Sequence, residues 1–210
     1  MLFLKGFVLT WPLCLAFLAF FAAVSATAWA VPARKGRTVA SMPVFHVFTV
    51  LWVAAMGVCL TFVDAPHLSL SKETIDWLFM LSSFLGIPLT IPLLTGAVWA
   101  LARGVRGERT RLSDLALVML AGFGLGCAAS NIHDVAWCGI ITRGYTQPFK
   151  AGYDLVAFAT VGGWFGIPEE VLYDYATLGP CAAVLVFGEL CVSAVCFARL
   201  RRDGRADRAA

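Results

Sequence analysis

Carboxyl side chains cluster in the short sequence PEEVLYD, which runs from Pro168 to Asp174 and leads into a long apolar stretch. Glu170 and Asp174 are four residues apart, so a helix would place them on the same face. Two neighbouring carboxyl groups favour a state in which one of them keeps its proton. The cluster therefore predicts an acid beside a carboxylate, a pair that can donate and accept protons in general acid–base catalysis.

A second polar group stands near the end of the preceding apolar stretch, where His133 and Asp134 follow Asn131. An ionisable side chain at membrane depth costs several kcal/mol unless it has a partner, so such residues are candidates for function. We predict acid and base roles for Asp134, Glu169 and Glu170, and a shared pocket at one membrane face.

Glu189 lies deep in the last apolar stretch, away from the other acids. It follows Asp174 by 15 residues, which is about 22 Å along a helix at 1.5 Å per residue. Glu189 therefore needs a partner of its own, or it remains protonated.

Aromatic residues crowd the region of the predicted pocket. We predict that Trp137, Trp164 and Tyr173, with His133 and Asp174, bind a substrate, because aromatic faces stabilise a nearby cation. Trp and Tyr are also the residues expected at a membrane interface. A belt of interfacial side chains therefore remains the alternative interpretation.

The acids and the histidine also have structural interpretations. Glu169 and Glu170 follow Pro168 directly, and acids in the first turn of a helix are stabilised by its dipole. His133 could equally be a residue that packs between helices. These alternatives and the catalytic interpretation both stay open at the level of the sequence.

The composition places these residues in a membrane. The 210 residues are 60% hydrophobic and 14% charged, with a mean hydropathy of +0.82, and a membrane helix needs about 20 consecutive apolar residues. The segment 155–167 is shorter and stops at Pro168, which favours an interfacial or re-entrant segment. We expect an all-α, polytopic membrane helix bundle with about five transmembrane helices, at 7–31, 43–63, 77–101, 115–141 and about 171–198.

Positive residues indicate the orientation, because Lys and Arg near the ends of spans stay in the cytoplasm. They concentrate in the segments 34–37, 103–111 and 199–208. We therefore predict a multi-pass protein of the cell inner membrane, with the N-terminus outside and the C-terminus in the cytoplasm. Residues 1–198 would form one membrane domain and 199–210 a basic cytoplasmic tail. The net charge of +3 reflects this topology and predicts no nucleic-acid partner.

Several features of other protein classes are missing from the sequence. The seven cysteines include no C-x-x-C pair, so we interpret them as small buried hydrophobic residues. No metal-ligand spacing or Gly-rich phosphate loop occurs, and we expect neither metal nor cofactor. The first span resembles a signal peptide ending in SATAWA, but the basic residues that follow favour an uncleaved anchor.

The C-terminal half resembles the small membrane-embedded lycopene cyclases of bacteria and fungi, which are unrelated to the flavin-type cyclases. Those proteins have an apolar helix ending in an acid, a loop with a T-R-x-G-like start, and a Gly-Leu-Pro-x-Glu-Glu segment. The corresponding pieces here are Asp134, the loop 141–153 and the segment 166–175. Pro168 directly precedes the acids here, whereas the family has a residue between them.

The resemblance implies a non-redox isoprenoid or carotenoid cyclase that acts on a lipid-soluble polyene. One acid would protonate a double bond, aromatic rings would stabilise the carbocation, and a carboxylate or water would remove the final proton. Two other hypotheses fit the same residues: a proton- or cation-linked transport or binding protein, and a non-catalytic subunit of a membrane complex. The partners implied are a membrane lipid or isoprenoid in the first case and a membrane protein in the last.

Overall fold

The computed structural model describes residues 2–30, 36–63, 71, 74, 86–141, 161–172 and 175–209. Nearly all of them are helical, which agrees with the predicted all-α class. The helices are α1 (Leu2–Ala30), α2 (Ser41–Val63), α3 (Ile87–Gly104), α4 (Leu112–Ile141), the short α5 (Glu169–Leu172) and α6 (Tyr175–Ala209). Two short strands, β1 (Thr38–Ala40) and β2 (Arg109–Arg111), pair outside the bundle.

Four of the described helices are long and apolar enough to cross a membrane, which is compatible with an integral membrane protein. The third predicted span, 77–101, begins in residues that lie outside the described part, so the count of five is not confirmed. Large apolar side chains such as Val50 and Phe20 are more than half exposed on the outer helices. A lipid environment would cover these surfaces without any protein partner.

The long helices stand in a row in the order α2, α3, α4, α6 and α1, in which each packs against its neighbours. The central helix α4 has the largest buried share of the apolar stretches that could span a membrane. Small residues of this helix recur at Gly122, Gly126, Ala129 and Ser130, a spacing that predicts the close approach of another helix. Gly122, Gly126 and Ser130 are buried as expected, whereas Ala129 is exposed.

Two glycines bring the neighbours of α4 close to its backbone. A Cβ atom added at Gly122 would lie 2.6 Å from the Cα of Pro92 in α3. A Cβ atom at Gly124 would lie 2.7 Å from the backbone oxygen of Glu189 in α6, and closer still to the hydroxyl of Ser193. The spacing of α4 from both neighbours thus depends on residues without side chains.

The strands join two of the basic segments at one end of the row. Thr38 pairs with Arg111 and Ala40 with Arg109 in an antiparallel register. The hydroxyl of Ser41, at the start of α2, donates a hydrogen bond of 2.6 Å to the backbone oxygen of Glu108. Residues 36–37 and the segment 103–111 therefore lie at the same end of the bundle, as the charge pattern predicts.

The third basic segment reaches the same end through Arg199. This side chain is only 3% exposed and donates a hydrogen bond to the backbone oxygen of Trp29, near the end of α1. Its Nε atom lies 2.9 Å from a carboxylate oxygen of Asp203, and the Arg202 guanidinium stacks on the Trp29 ring. We call this the basic end. Helix α6 continues through most of the predicted tail, to Ala209.

The segment 161–172 folds back against the opposite part of the bundle. Leu172 is buried in a cluster with Leu13, Cys181 and Leu185, and Val161 packs against the same cluster. The segment therefore lies beside the first turns of α6. The predicted interfacial or re-entrant segment, 155–167, lies partly outside the described residues and stays a prediction.

The close approach at Gly124 gives a prediction about stability. Gly124→Ala should lower the free energy of unfolding by about 1–3 kcal/mol, because the added methyl group meets backbone atoms that cannot move without separating α4 from α6. Equilibrium unfolding in mixed micelles, followed by circular dichroism, measures this change.

Gly57→Ala is the matched control, since a Cβ atom at Gly57 meets nothing within 4 Å. It should be neutral or stabilise by up to about 1 kcal/mol through helix propensity. Equal effects of the two substitutions would contradict the tight α4–α6 contact.

Candidate functional site

A carboxyl group and an amide meet inside the bundle, between α4 and α6. The side chain of Glu189 is 2% exposed and that of Asn131 is fully buried. The Nδ2 atom of Asn131 donates hydrogen bonds of 2.9 Å and 3.2 Å to the two carboxyl oxygens of Glu189. The partner that the sequence requires for Glu189 is therefore Asn131.

The surrounding contacts hold this pair in place. Ser193, one turn beyond Glu189, donates a hydrogen bond of 2.8 Å to the backbone oxygen of Ala121 and one of 3.1 Å to that of Glu189. Gly124 admits the α6 backbone at the same level. The hydrogen bond from Ser193 to Ala121 therefore links α6 to α4 on one side of the Glu189 carboxyl group.

The pair lies far from both ends of α6. Glu189 follows the first residue, Tyr175, by 14 positions and precedes Arg199 by 10, which correspond to about 21 Å and 15 Å of helix. A full negative charge at this depth is costly, and one amide group compensates only part of that cost. The carboxyl group of Glu189 is therefore a candidate site for the binding of a proton or a cation.

The predicted catalytic residues lie at the end of the bundle opposite to the basic end. Asp134 and His133 belong to α4, one turn beyond Asn131, and Glu169 and Glu170 form the start of α5. The side chains of these four residues lie outside the described part of the structure. Their predicted acid and base roles stay predictions.

The structure describes only some of the aromatic and acidic residues that were predicted to bind a substrate. Trp137 belongs to α4, but its side chain is not described, and Tyr173 and Asp174 lie outside the described residues. Trp164 is 78% exposed, a position typical of an interfacial belt residue. The predicted role of Trp164 in substrate binding and the alternative of an interfacial belt residue both stay predictions.

An apolar groove lies between α1 and α4, with a volume of about 420 Å³. Its walls include Phe20 and Val24 from α1 and Ala116 and Leu120 from α4, so it lies in the half of the bundle nearer the basic end. Among the described residues that line the groove there is no acid. It could accommodate an apolar chain, but it offers no group for acid–base chemistry.

The Asn131–Glu189 pair could be predicted only in part. An acid inside an apolar stretch is visible in the sequence, and so is Asn131 near the end of another stretch. Their pairing depends on how α4 and α6 are rotated against each other. Within the described residues, His, Cys, Asp and Glu form no group of three or more that could hold a metal ion.

No protein-family model, curated protein or solved structure matches this chain.

The pairing predicts a non-additive pattern of stability. Asn131→Leu should lower the free energy of unfolding by about 1–3 kcal/mol or more, because it leaves the buried carboxyl group without its amide donor. The double variant Asn131→Leu with Glu189→Leu should be more stable than Asn131→Leu alone, since an apolar pair needs no donor.

Unfolding in mixed micelles of the wild type, Asn131→Leu, Glu189→Leu and the double variant gives the four free energies for this comparison. If the effects of the two single substitutions simply add, Asn131 and Glu189 are not energetically coupled and the pairing is wrong.

Proposed function

We propose that this protein is an integral membrane protein that binds and releases a proton at Glu189, and that it acts in proton-linked transport. One observation carries the proposal: a carboxyl group that is 2% exposed, between two long helices, with an amide as its hydrogen-bond donor. Ionisable groups buried at membrane depth commonly mark proton or ion pathways.

The orientation of Asn131 favours a proton over a metal ion. Its NH₂ group, and not its oxygen, faces both carboxyl oxygens of Glu189. An amide N–H donor repels a metal cation, which instead needs several oxygen ligands. The same donor bonds to either protonation state of a carboxyl group, and more strongly to the ionised one.

Proton binding at this site would act on the contact between α4 and α6. Loss of the proton strengthens the bond from Asn131 but places a charge inside the bundle. Both effects act at the place where Gly124 and Ser193 hold the helices closest together. The packing of α4 against α6 would thus change with the occupancy of Glu189, which is the coupling that transport requires.

The proposed orientation follows from the charges. The three basic segments share one end of the bundle, and that end would face the cytoplasm of a cell with this protein in its inner membrane. The described helices then run alternately inward and outward, beginning with α1, which would leave the N-terminus outside.

Infrared difference spectroscopy tests proton binding directly. Between alkaline and acidic pH, the wild-type protein in lipid should show a C=O band from a protonated carboxylic acid in an apolar environment. Glu189→Gln should lose this band. Glu108→Gln is the matched control, because Glu108 pairs with Arg103 at 3.4 Å at the basic end, and it should keep the band.

Proton flux into liposomes tests the transport function. With a pH-sensitive dye inside, vesicles containing the wild-type protein should dissipate an imposed pH gradient faster than empty vesicles. Glu189→Gln should return the rate to that of empty vesicles, and Glu108→Gln should not. A Glu189→Gln protein with wild-type flux would exclude Glu189 from the pathway.

The isoprenoid cyclase suggested by the sequence remains a second prediction. Asp134, Glu169 and Glu170 lie toward the same end of the bundle, which is compatible with a shared pocket there. Incubation with a polyene and chromatography of the products tests it. Cyclised product that disappears in Asp134→Asn but persists in Glu189→Gln would favour the cyclase.

A further inference from the structure

Two cysteines that are 167 residues apart in the chain meet at the contact between α1 and α6. The thiol of Cys14 donates a hydrogen bond to the sulfur of Cys181 over 3.6 Å. Cys181 is also hydrogen-bonded to the side chain of Thr10. Cys181 is only 2% exposed, whereas Cys14 is half-buried. The pair is therefore held in place, with one sulfur more accessible than the other.

We propose that Cys14 and Cys181 form a redox-active pair that closes to a disulfide bond between α1 and α6. The sulfur atoms of a disulfide lie about 2.0 Å apart, so the two thiols must approach by about 1.6 Å. A small rotation of the side chains, with a slight shift of α1, supplies this movement. Helix α1 can shift because most of its surface is exposed and its main contact is with α6.

The oxidant that this step requires is a second disulfide, either a small molecule or an oxidised dithiol protein. The accessible sulfur, Cys14, attacks the disulfide as a thiolate and releases one thiol, which leaves a mixed disulfide on α1. The Cys181 thiolate then attacks the Cys14 sulfur and releases the second thiol. One disulfide is thus reduced to two thiols for each protein disulfide formed, and the two protein protons pass to the leaving thiolates.

The position of the pair agrees with this chemistry. Cys181 lies six residues after the start of α6, about 9 Å along the helix, in the half of the bundle that is far from the basic end. Under the proposed orientation this half faces the extracytoplasmic side, where disulfides form and persist. This last step depends on the proposed orientation, whereas the geometry of the pair does not.

Closure would change how α1 is attached. At the basic end α1 is held by the bond from Arg199 to the oxygen of Trp29, and in the far half it packs on the cluster of Leu13, Cys181 and Leu185. A disulfide would add a covalent link in the far half. The oxidised protein would then hold α1 to α6 in both halves of the membrane.

Treatment of the full-length protein in lipid with one equivalent of dipyridyl disulfide, which enters membranes, tests the proposal. The number of thiols that react with a maleimide after denaturation should fall by two from the seven cysteines of the chain. Mass spectrometry without reductant should show the peptides of Cys14 and Cys181 joined. The dye product, thiopyridone, should appear as two molecules per chain.

Single variants separate the role of Cys14, which attacks the oxidant, from that of Cys181, which resolves the mixed disulfide. Cys181→Ser should stop at the mixed disulfide and carry one pyridyl group on Cys14. Cys14→Ser should leave Cys181 unmodified because it is buried. Cys196→Ser is the control, since Cys196 is buried in a different cluster, formed by α1, α4 and α6, and this variant should still lose two thiols.

Two results would overturn the proposal. One is a wild-type protein that keeps a pyridyl group on Cys14 without a bond to Cys181. The other is a disulfide that joins different cysteines. Neither outcome depends on Glu189, so the proposed proton site and the thiol pair stand or fall separately.

Discussion

The packing of α4 between α3 and α6 is the constraint on which the rest of the structure depends. A helix that is covered on two sides at membrane depth has no water for its polar groups, so each must find a partner on a neighbouring helix. Gly122 and Gly124 bring those neighbours within reach. The bonds from Asn131 to Glu189 and from Ser193 to the oxygen of Ala121 follow from that closeness.

Helix α6 carries a different chemistry on each of its two packed faces. Toward α4 it presents Glu189, whose carboxyl group can exchange a proton, and toward α1 it presents Cys181, whose thiol can exchange electrons in pairs. The two faces also differ in their contacts. The α4 face is joined by hydrogen bonds to side chains and backbone. The described part of the α1 face is mainly apolar apart from the thiol pair with Thr10 and the bond of Arg199.

The sequence predicts what depends on composition and local spacing. Apolar stretches predicted helices long enough to cross a membrane, of which the described residues contain four. Small residues indicated that α4 is buried, and Lys and Arg predicted that the basic segments share one end. Side-chain pairs between helices could not be predicted, because they depend on which helices pack together and how each is rotated about its axis. Asn131 and Glu189 are 58 residues apart, and Cys14 and Cys181 are 167 apart. The strands, of three residues each, are too short to show a pattern.

The strand pair at the basic end has a mechanical consequence. β1 leads into α2 and β2 leads into α4, and the amide of Leu112 adds a further bond to the oxygen of Arg37. Backbone hydrogen bonds thereby link the residues leading into α2 to those leading into α4, and α3 packs between these two helices. If α2 and α3 tilt relative to α4, they must pivot near this strand pair. The displacement of the helices is therefore smallest there and grows toward the opposite membrane surface.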